Sequence, residues 1–190
     1  MNFEEKVEKP LNIRGSRCAN IDVSYSLGNT TYYVESKFLE PYYSKCKHNT
    51  DSYCKKDNYK FPEAETSLWL KLLDNEKDFH YYDFSQLYRH LLAIRRKQHD
   101  KQDNVVLQSI SWKMTDSIAK EYVLSSEDKK WLIKLDKERR VANKLFNDFL
   151  KDIGWENCHF ETKSYNDMLN DIKGAPQYDD FCKQYFLSSS

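Results

Sequence analysis

Glycine and proline are scarce in this sequence, with four residues of each in a chain of 190. Their scarcity excludes collagen-like repeats, long flexible linkers and low-complexity tracts. Hydrophobic residues make up 39% of the chain, which at this length is enough apolar surface for a core of its own. We therefore expect a single domain over residues 1–190, with its core at about 19–173, a short N-terminal segment 1–18 and a C-terminal tail 174–190.

The sequence also lacks a net charge, a long apolar run and an even number of cysteines. Thirty basic and thirty acidic residues cancel, so no global positive field favours nucleic acid, although a local patch can still contact phosphates. No stretch approaches the roughly 18 to 20 apolar residues of a membrane span, and the first residues lack the apolar run of a signal peptide. Five cysteines fit reduced thiols better than a disulfide framework. We expect a cytoplasmic protein with no membrane partner.

One group of soft ligands lies between residues 46 and 54, where Cys46, His48 and Cys54 come close together in the chain. Three such residues are a possible zinc site, but a fourth ligand is not obvious and the spacing matches no common zinc module. Ordinary loop residues are the favoured interpretation.

A β-hairpin over residues 19–39 is the clearest local prediction. Gly28-Asn29 is typical of a tight turn, and the residues from Thr30 to Val34 favour a strand. Apolar residues alternate with polar ones along the first strand, at Ile21, Val23, Tyr25 and Leu27. The hairpin thus has two distinct faces.

Helices and strands alternate in the rest of the chain. Pro62 opens a predicted helix, a second spans about 84–98, and a third runs from 127 to 153 behind a capping box of Ser125 and Asp128. Predicted strands lie at 105–112 and 158–162, and a further capping box, Ser164 with Asp167, precedes a short last helix at 165–173. This order predicts an α/β fold with a mixed β-sheet flanked by helices.

The hairpin register places two acidic residues opposite each other on its polar face. With Gly28 and Asn29 as the turn, Asp22 faces Glu35, and Lys37 follows on the same face. Two opposed carboxylates with β-carbons about 4.5–5.5 Å apart repel each other unless a cation lies between them. A divalent metal such as Mg²⁺ resolves that conflict. The alternative is a solvated strand face on which Glu35 and Lys37 form an ordinary surface ion pair.

These residues resemble the signature of the PD-(D/E)XK, restriction-endonuclease-like nuclease superfamily. Asn20-Ile21-Asp22 and Glu35-Ser36-Lys37-Phe38 are similar to the Asn-Leu-Asp and Glu-Ser-Lys-Phe runs of a small bacterial group within it. That group also has a Gln-Leu-x-x-His-Leu-like run on a helix, which 86–91 matches. The resemblance implies a restriction-endonuclease-like sheet flanked by helices.

The resemblance also implies roles for individual residues. Asp22 and Glu35 would bind Mg²⁺ or Mn²⁺ together with the Ser36 carbonyl, Lys37 would orient or activate the attacking water, and Gln86 would support the site. The implied reaction is hydrolysis of phosphodiester bonds, with DNA as the expected substrate. The family usually has an N-terminal helix that can contribute a carboxylate. In this chain Glu4, Glu5 or Glu8 would have to supply it, or else these residues are surface charges.

Basic residues on the second predicted helix offer a nucleic-acid surface, namely Arg89, Arg95, Arg96 and Lys97. The alternative for this run is a solvated helix face. A competing function is a catalytically weak or inactive nuclease-fold protein that binds nucleic acid or protein, such as a phage or mobile-element defence or counter-defence factor. A homodimer is compatible with a nuclease, because double-strand cleavage needs two active sites.

Overall fold

A mixed sheet forms the centre of the structure, a computed structural model that describes residues 2–7, 19–37, 61–98, 103–111, 125–165 and 167–168. Its five strands follow one another across the sheet in chain order. They are β1 (Asn2–Val7), β2 (Ala19–Leu27), β3 (Thr30–Lys37), β4 (Asn104–Ser111) and β5 (Cys158–Ser164). The first three strands are antiparallel and the last three are parallel. The predicted mixed α/β sheet is therefore confirmed.

The hairpin of β2 and β3 has the predicted turn and register. Gly28 has a φ of 58°, in the left-handed region that glycine adopts without strain. Pairing runs from Leu27–Thr30 to Val23–Val34, as the Gly28-Asn29 turn requires. Tyr25 and Tyr32 face each other and stack with ring centroids 4.8 Å apart. The turn chemistry therefore sets which residues meet along the hairpin.

The predicted division of the hairpin into two faces needs one correction, at Ile21. Val23, Tyr25, Tyr32 and Val34 do share a face, but Ile21 is fully buried with Tyr33 in the main core. The described pairing of β2 with β3 ends at Val23–Val34, so strict alternation does not extend to Ile21. Alternation of residues in the sequence does not show where the pairing of two strands ends.

Strand β1 was not predicted from the sequence. It lies at the edge of the sheet and pairs with β2 from Asn2–Ser24 to Val7–Ala19. Charged residues interrupt its apolar pattern, which hides the strand in the sequence and is also common in edge strands. Pairing with β2 supplies the order that local propensity does not.

Three α-helices are described, namely α1 (Glu63–Leu73), α2 (Phe84–Lys97) and α3 (Ser126–Asp152). A 3₁₀ turn over Asp74–Asp78 continues α1. At the start of α2, Asp83 Oδ1 accepts the N–H of Gln86 at 3.1 Å. After α3, Gly154 has a φ of 66° and Trp155 donates its N–H to the Leu150 carbonyl at 2.9 Å. Both ends use standard capping chemistry, and α3 stops at Gly154 as predicted.

The three helices pack their apolar residues against one face of the sheet. Trp69 of α1 packs against Tyr88 of α2 and Phe149 of α3, with ring centroids 5.5 and 4.4 Å apart. Phe146 links this cluster to Phe160 on β5 at 4.7 Å. A smaller cluster of Val34, Ile110 and Tyr165 lies on the other face of the sheet. Among the residues described, no helix is long and apolar enough to cross a membrane.

Two predicted features near the helix ends have different outcomes. The Ser164–Asp167 capping box is confirmed, because each residue accepts the backbone N–H of the other at 3.1 Å. The Asp128 side chain of the other box lies outside the described residues, as do most of the short helix at 165–173 and the Cys46, His48 and Cys54 group.

Candidate active site

Asp22 and the Glu35–Lys37 segment meet at one end of the hairpin, because the beginning of β2 and the end of β3 adjoin in an antiparallel pair. Asp22 is half-buried, and its Oδ2 accepts the backbone N–H of Ser36 at 2.8 Å. The carboxylate is thus attached to the middle of the Glu-Ser-Lys segment. This bond is charge-assisted, which makes it stronger than a bond between neutral groups.

Glu35 is buried, with only 2% of its surface exposed. Gln86 donates Nε2–H to Glu35 Oε1 at 2.5 Å, and His90 Nε2 lies 3.0 Å from Glu35 Oε2. Both partners come from α2, where residues four apart share a face. The carboxylate is therefore held at both oxygens by one helix.

The burial of Glu35 has an energetic consequence. Removing a carboxylate from water costs several kcal/mol, and hydrogen bonds to a charged group offset about 1.5–3 kcal/mol each. The hydrogen bond from Gln86 reduces this cost, but such a group adds little to net stability. The alternative of a solvated strand face does not hold for Glu35.

Ser36 is held through its side chain as well as its backbone. Its Oγ lies 2.5 Å from the hydroxyl of Tyr165, which follows the end of β5. Glu35 and Ser36 therefore point to opposite faces of the sheet, one towards α2 and the other towards Tyr165. The backbone between Asp22 and the end of β3 is fixed from both faces.

Two predicted contributors have a described backbone only. Lys37 ends β3 and pairs with Ser111 of β4, but its side chain lies outside the described residues. In the ladder of β1 with β2, Glu4 lies between the pairs Phe3–Val23 and Glu5–Ile21, opposite Asp22. The side chains of β1 are likewise outside the described residues, and so is all of Glu8.

A buried polar layer lies behind Glu35. Ser109 is its partner on β4 and is 1% exposed. Burial raises the pKa of Tyr82, which Glu35 also raises slightly and which Ser109 and Arg139 lower. The Tyr82 hydroxyl therefore stays protonated at neutral pH.

The predicted nucleic-acid residues on α2 divide into two kinds. Arg95 forms two hydrogen bonds with Glu65 at 3.0 and 3.1 Å and lies over the ring of Trp155, so contacts within the fold account for it. Arg89 and Arg96 are half-buried, and Lys97 lies over the ring of Tyr33 at 5.6 Å. No nucleic acid is needed to explain Arg95.

The donor chemistry of the site fits a hard divalent cation. Asp22 and Glu35 supply two carboxylates, and Mg²⁺ typically takes one or two protein carboxylates and keeps several waters. No group of three or more histidine, cysteine, aspartate and glutamate side chains placed to hold a metal occurs in the described part of the chain. Carboxylate oxygens are ligands that Mg²⁺ and Mn²⁺ accept, whereas structural zinc sites typically use cysteine and histidine.

His90 had no predicted role, although it lies in the Gln86–Leu91 run that resembles a motif of the nuclease superfamily. The signal was present, because Gln86 and His90 are four residues apart and the helical period puts them on one face. The sequence does not show that this face of α2 points towards Glu35 on β3.

Comparison with known proteins gives one match. A family model described as restriction endonuclease associating with ARP matches residues 1–186. No curated protein and no solved structure matches the chain.

Proposed function

The chain belongs to the family described as restriction endonuclease associating with ARP, and from this membership and the geometry around Glu35 we propose that it is a metal-dependent nuclease. Its reaction is hydrolysis of phosphodiester bonds, and its substrate is DNA. The active-site residues are Asp22, Glu35 and Lys37, with Gln86 in support. This is the PD-(D/E)XK arrangement that the sequence resembles.

One observation carries the proposal. A carboxylate that is 2% exposed is held at both oxygens by Gln86 and His90, while Asp22 is bonded to the next residue of the chain. Burying a carboxylate costs folding free energy, and proteins carry such costs mainly at functional sites. Two carboxylates and a lysine within one hairpin end are the residues that metal-assisted phosphodiester hydrolysis requires.

The proposed site residues have different roles in metal binding, in orienting the attacking water and in substrate binding. Asp22, Glu35 and the Ser36 carbonyl would hold Mg²⁺ or Mn²⁺, and Gln86 keeps the Glu35 carboxylate in place. When bound, the metal lowers the pKa of a coordinated water and stabilises negative charge on the phosphate. Lys37 orients the attacking water, and Arg89, Arg96 and Lys97 contact substrate phosphates. Contacts of that kind bind DNA without reading its sequence.

The test is a cleavage assay with supercoiled plasmid, linear duplex and single-stranded DNA in Mg²⁺, Mn²⁺ or chelator. We expect metal-dependent cleavage that falls by at least about 100-fold in Asp22→Asn, Glu35→Gln and Lys37→Ala, because positioned groups contribute about 10²–10⁴-fold. Glu156→Gln, which changes an exposed glutamate in a turn, is the matched control.

Cleavage that persists in chelator, or in the three variants, would exclude this mechanism and these residues. No cleavage of any substrate by folded protein would favour the competing function, a nuclease-fold protein that only binds. Direct conversion of plasmid to linear product would indicate two active sites acting together, and light scattering of the same sample would show whether a homodimer supplies them.

A further inference from the structure

His90 is the second α2 residue that contacts Glu35, and it is almost as deeply buried as the carboxylate, at 3% exposure. Its Nε2 lies 3.0 Å from Glu35 Oε2, while Gln86 Nε2 contacts Oε1. Both ring nitrogens of His90 are buried, and its Nε2 lies within contact distance of Glu35 Oε2 without the alignment of a hydrogen bond. Among the described residues, Glu35 is the polar group that the imidazole contacts.

We propose that His90 is a positioning residue that fixes the orientation of Glu35 for metal binding. This inference rests on the proposed function, since it assigns a partner to a carboxylate of that site. A carboxylate has about four lone-pair positions, and Gln86 and His90 each contact one oxygen of Glu35. Gln86 and His90 together restrict rotation of the carboxylate, which Gln86 alone would hold at only one oxygen.

The same geometry argues against His90 as a metal ligand. Its Nε2 already contacts Glu35, and the hard cations that suit this site prefer oxygen ligands. Residues that hydrogen-bond a metal ligand typically change metal affinity or activity by about 10- to 100-fold when they are replaced. That range gives the expected size of the effect.

The experiment compares His90→Leu, which fills the space but has no donor, with His90→Gln, which keeps an N–H donor. Mn²⁺ binding is measured by electron paramagnetic resonance of the free ion, and unfolding of the metal-free proteins is measured in urea. We expect His90→Leu to bind Mn²⁺ about 10- to 100-fold more weakly than the native chain, and His90→Gln to recover most of the loss.

A control is needed for general weakening of α2. Ile94→Val removes one methyl group from a fully buried residue one turn further along the helix and costs about 0.5–1.5 kcal/mol. It should leave Mn²⁺ affinity unchanged. If His90→Leu does not fold, His90→Asn takes its place, because its amide is too short to replace the imidazole contact.

The outcomes separate this inference from the function on which it rests. Native Mn²⁺ affinity in His90→Leu, with binding still lost in Asp22→Asn, would overturn the role of His90 and leave the metal site intact. Equal weakening in His90→Leu, His90→Gln and Ile94→Val would also overturn it, because the effect would then come from helix stability. Absence of Mn²⁺ binding in the native chain would overturn both proposals.

Discussion

Two glutamates show how single carboxylates are used in this fold. Glu35 contacts two side chains of α2, whereas Glu138 of α3 accepts the backbone N–H groups of His80, Tyr81 and Tyr82 at 2.8–3.0 Å. The segment that Glu138 holds leads directly into α2. The first carboxylate is bound to α2 itself, and the second fastens the segment that precedes α2.

We expect Glu138→Gln to lower the free energy of unfolding by about 1–3 kcal/mol, because one amide oxygen cannot replace a carboxylate that accepts three N–H groups. Urea denaturation followed by circular dichroism measures this change. The exposed Glu156→Gln control should stay within about 0.5 kcal/mol of the native chain. A loss of similar size in both variants would show that Glu138 has no special role.

Residue patterns identified the acidic residues of the candidate site but not their surroundings. The Glu-Ser-Lys segment and its turn are local, so the hairpin register followed from the sequence. The burial of Glu35 depends on Gln86 and His90, more than fifty residues further along the chain, and a strand pattern does not contain that contact. Whether Asp22, Glu35, Ser36 and Lys37 hold a metal stays a prediction.

At the scale of elements, α2 connects the fold to the site. It lies against β1 and β2, and it supplies the partners of Glu35. Its apolar stripe was evident from its period, as was that of α3. Strand β1 was missed because an edge strand with three charged residues has no clear alternation.

The N-terminus of α2 depends on Asp83, whose side chain accepts the N–H of Gln86. We expect Asp83→Ala to destabilise the protein by about 1 kcal/mol, within the range of about 0.5–2 kcal/mol for loss of such a cap. Asp83→Asn should retain nearly all the stability, since asparagine caps equally well. Equal losses in the two variants, measured by urea denaturation, would contradict a capping role.

At the scale of the molecule, the sequence predicted an α/β chain with a mixed sheet, and the structure agrees. Hydrophobic period and turn chemistry were sufficient for this, because they act locally. The faces on which elements meet are set by packing over the whole chain. For this reason Ile21 was predicted on the wrong face of the hairpin, and no role was predicted for His90. The family match over residues 1–186 supports the same general class.

Cys158 offers a probe of the whole fold. It is 3% exposed at the start of β5, and burial raises the pKa of its thiol. Little thiolate therefore exists in the folded state at pH 8, whereas unfolding returns the pKa to about 8.5. We expect iodoacetamide to label Cys158 slowly in buffer and rapidly in urea, as measured by peptide mass spectrometry. Rapid labelling in buffer would mean that β5 opens without global unfolding.

The burial of Glu35 also bears on how this gene would change under relaxed selection. Replacing buried polar partners by well-packed apolar side chains is often neutral or stabilising. If the chain had no use for the carboxylate, random mutation could exchange Glu35 and His90 for apolar residues at no cost to folding. Loss of one partner alone leaves the other buried without its contact, so the two positions would be expected to change together, and apolar residues at both would record that the carboxylate had lost its use.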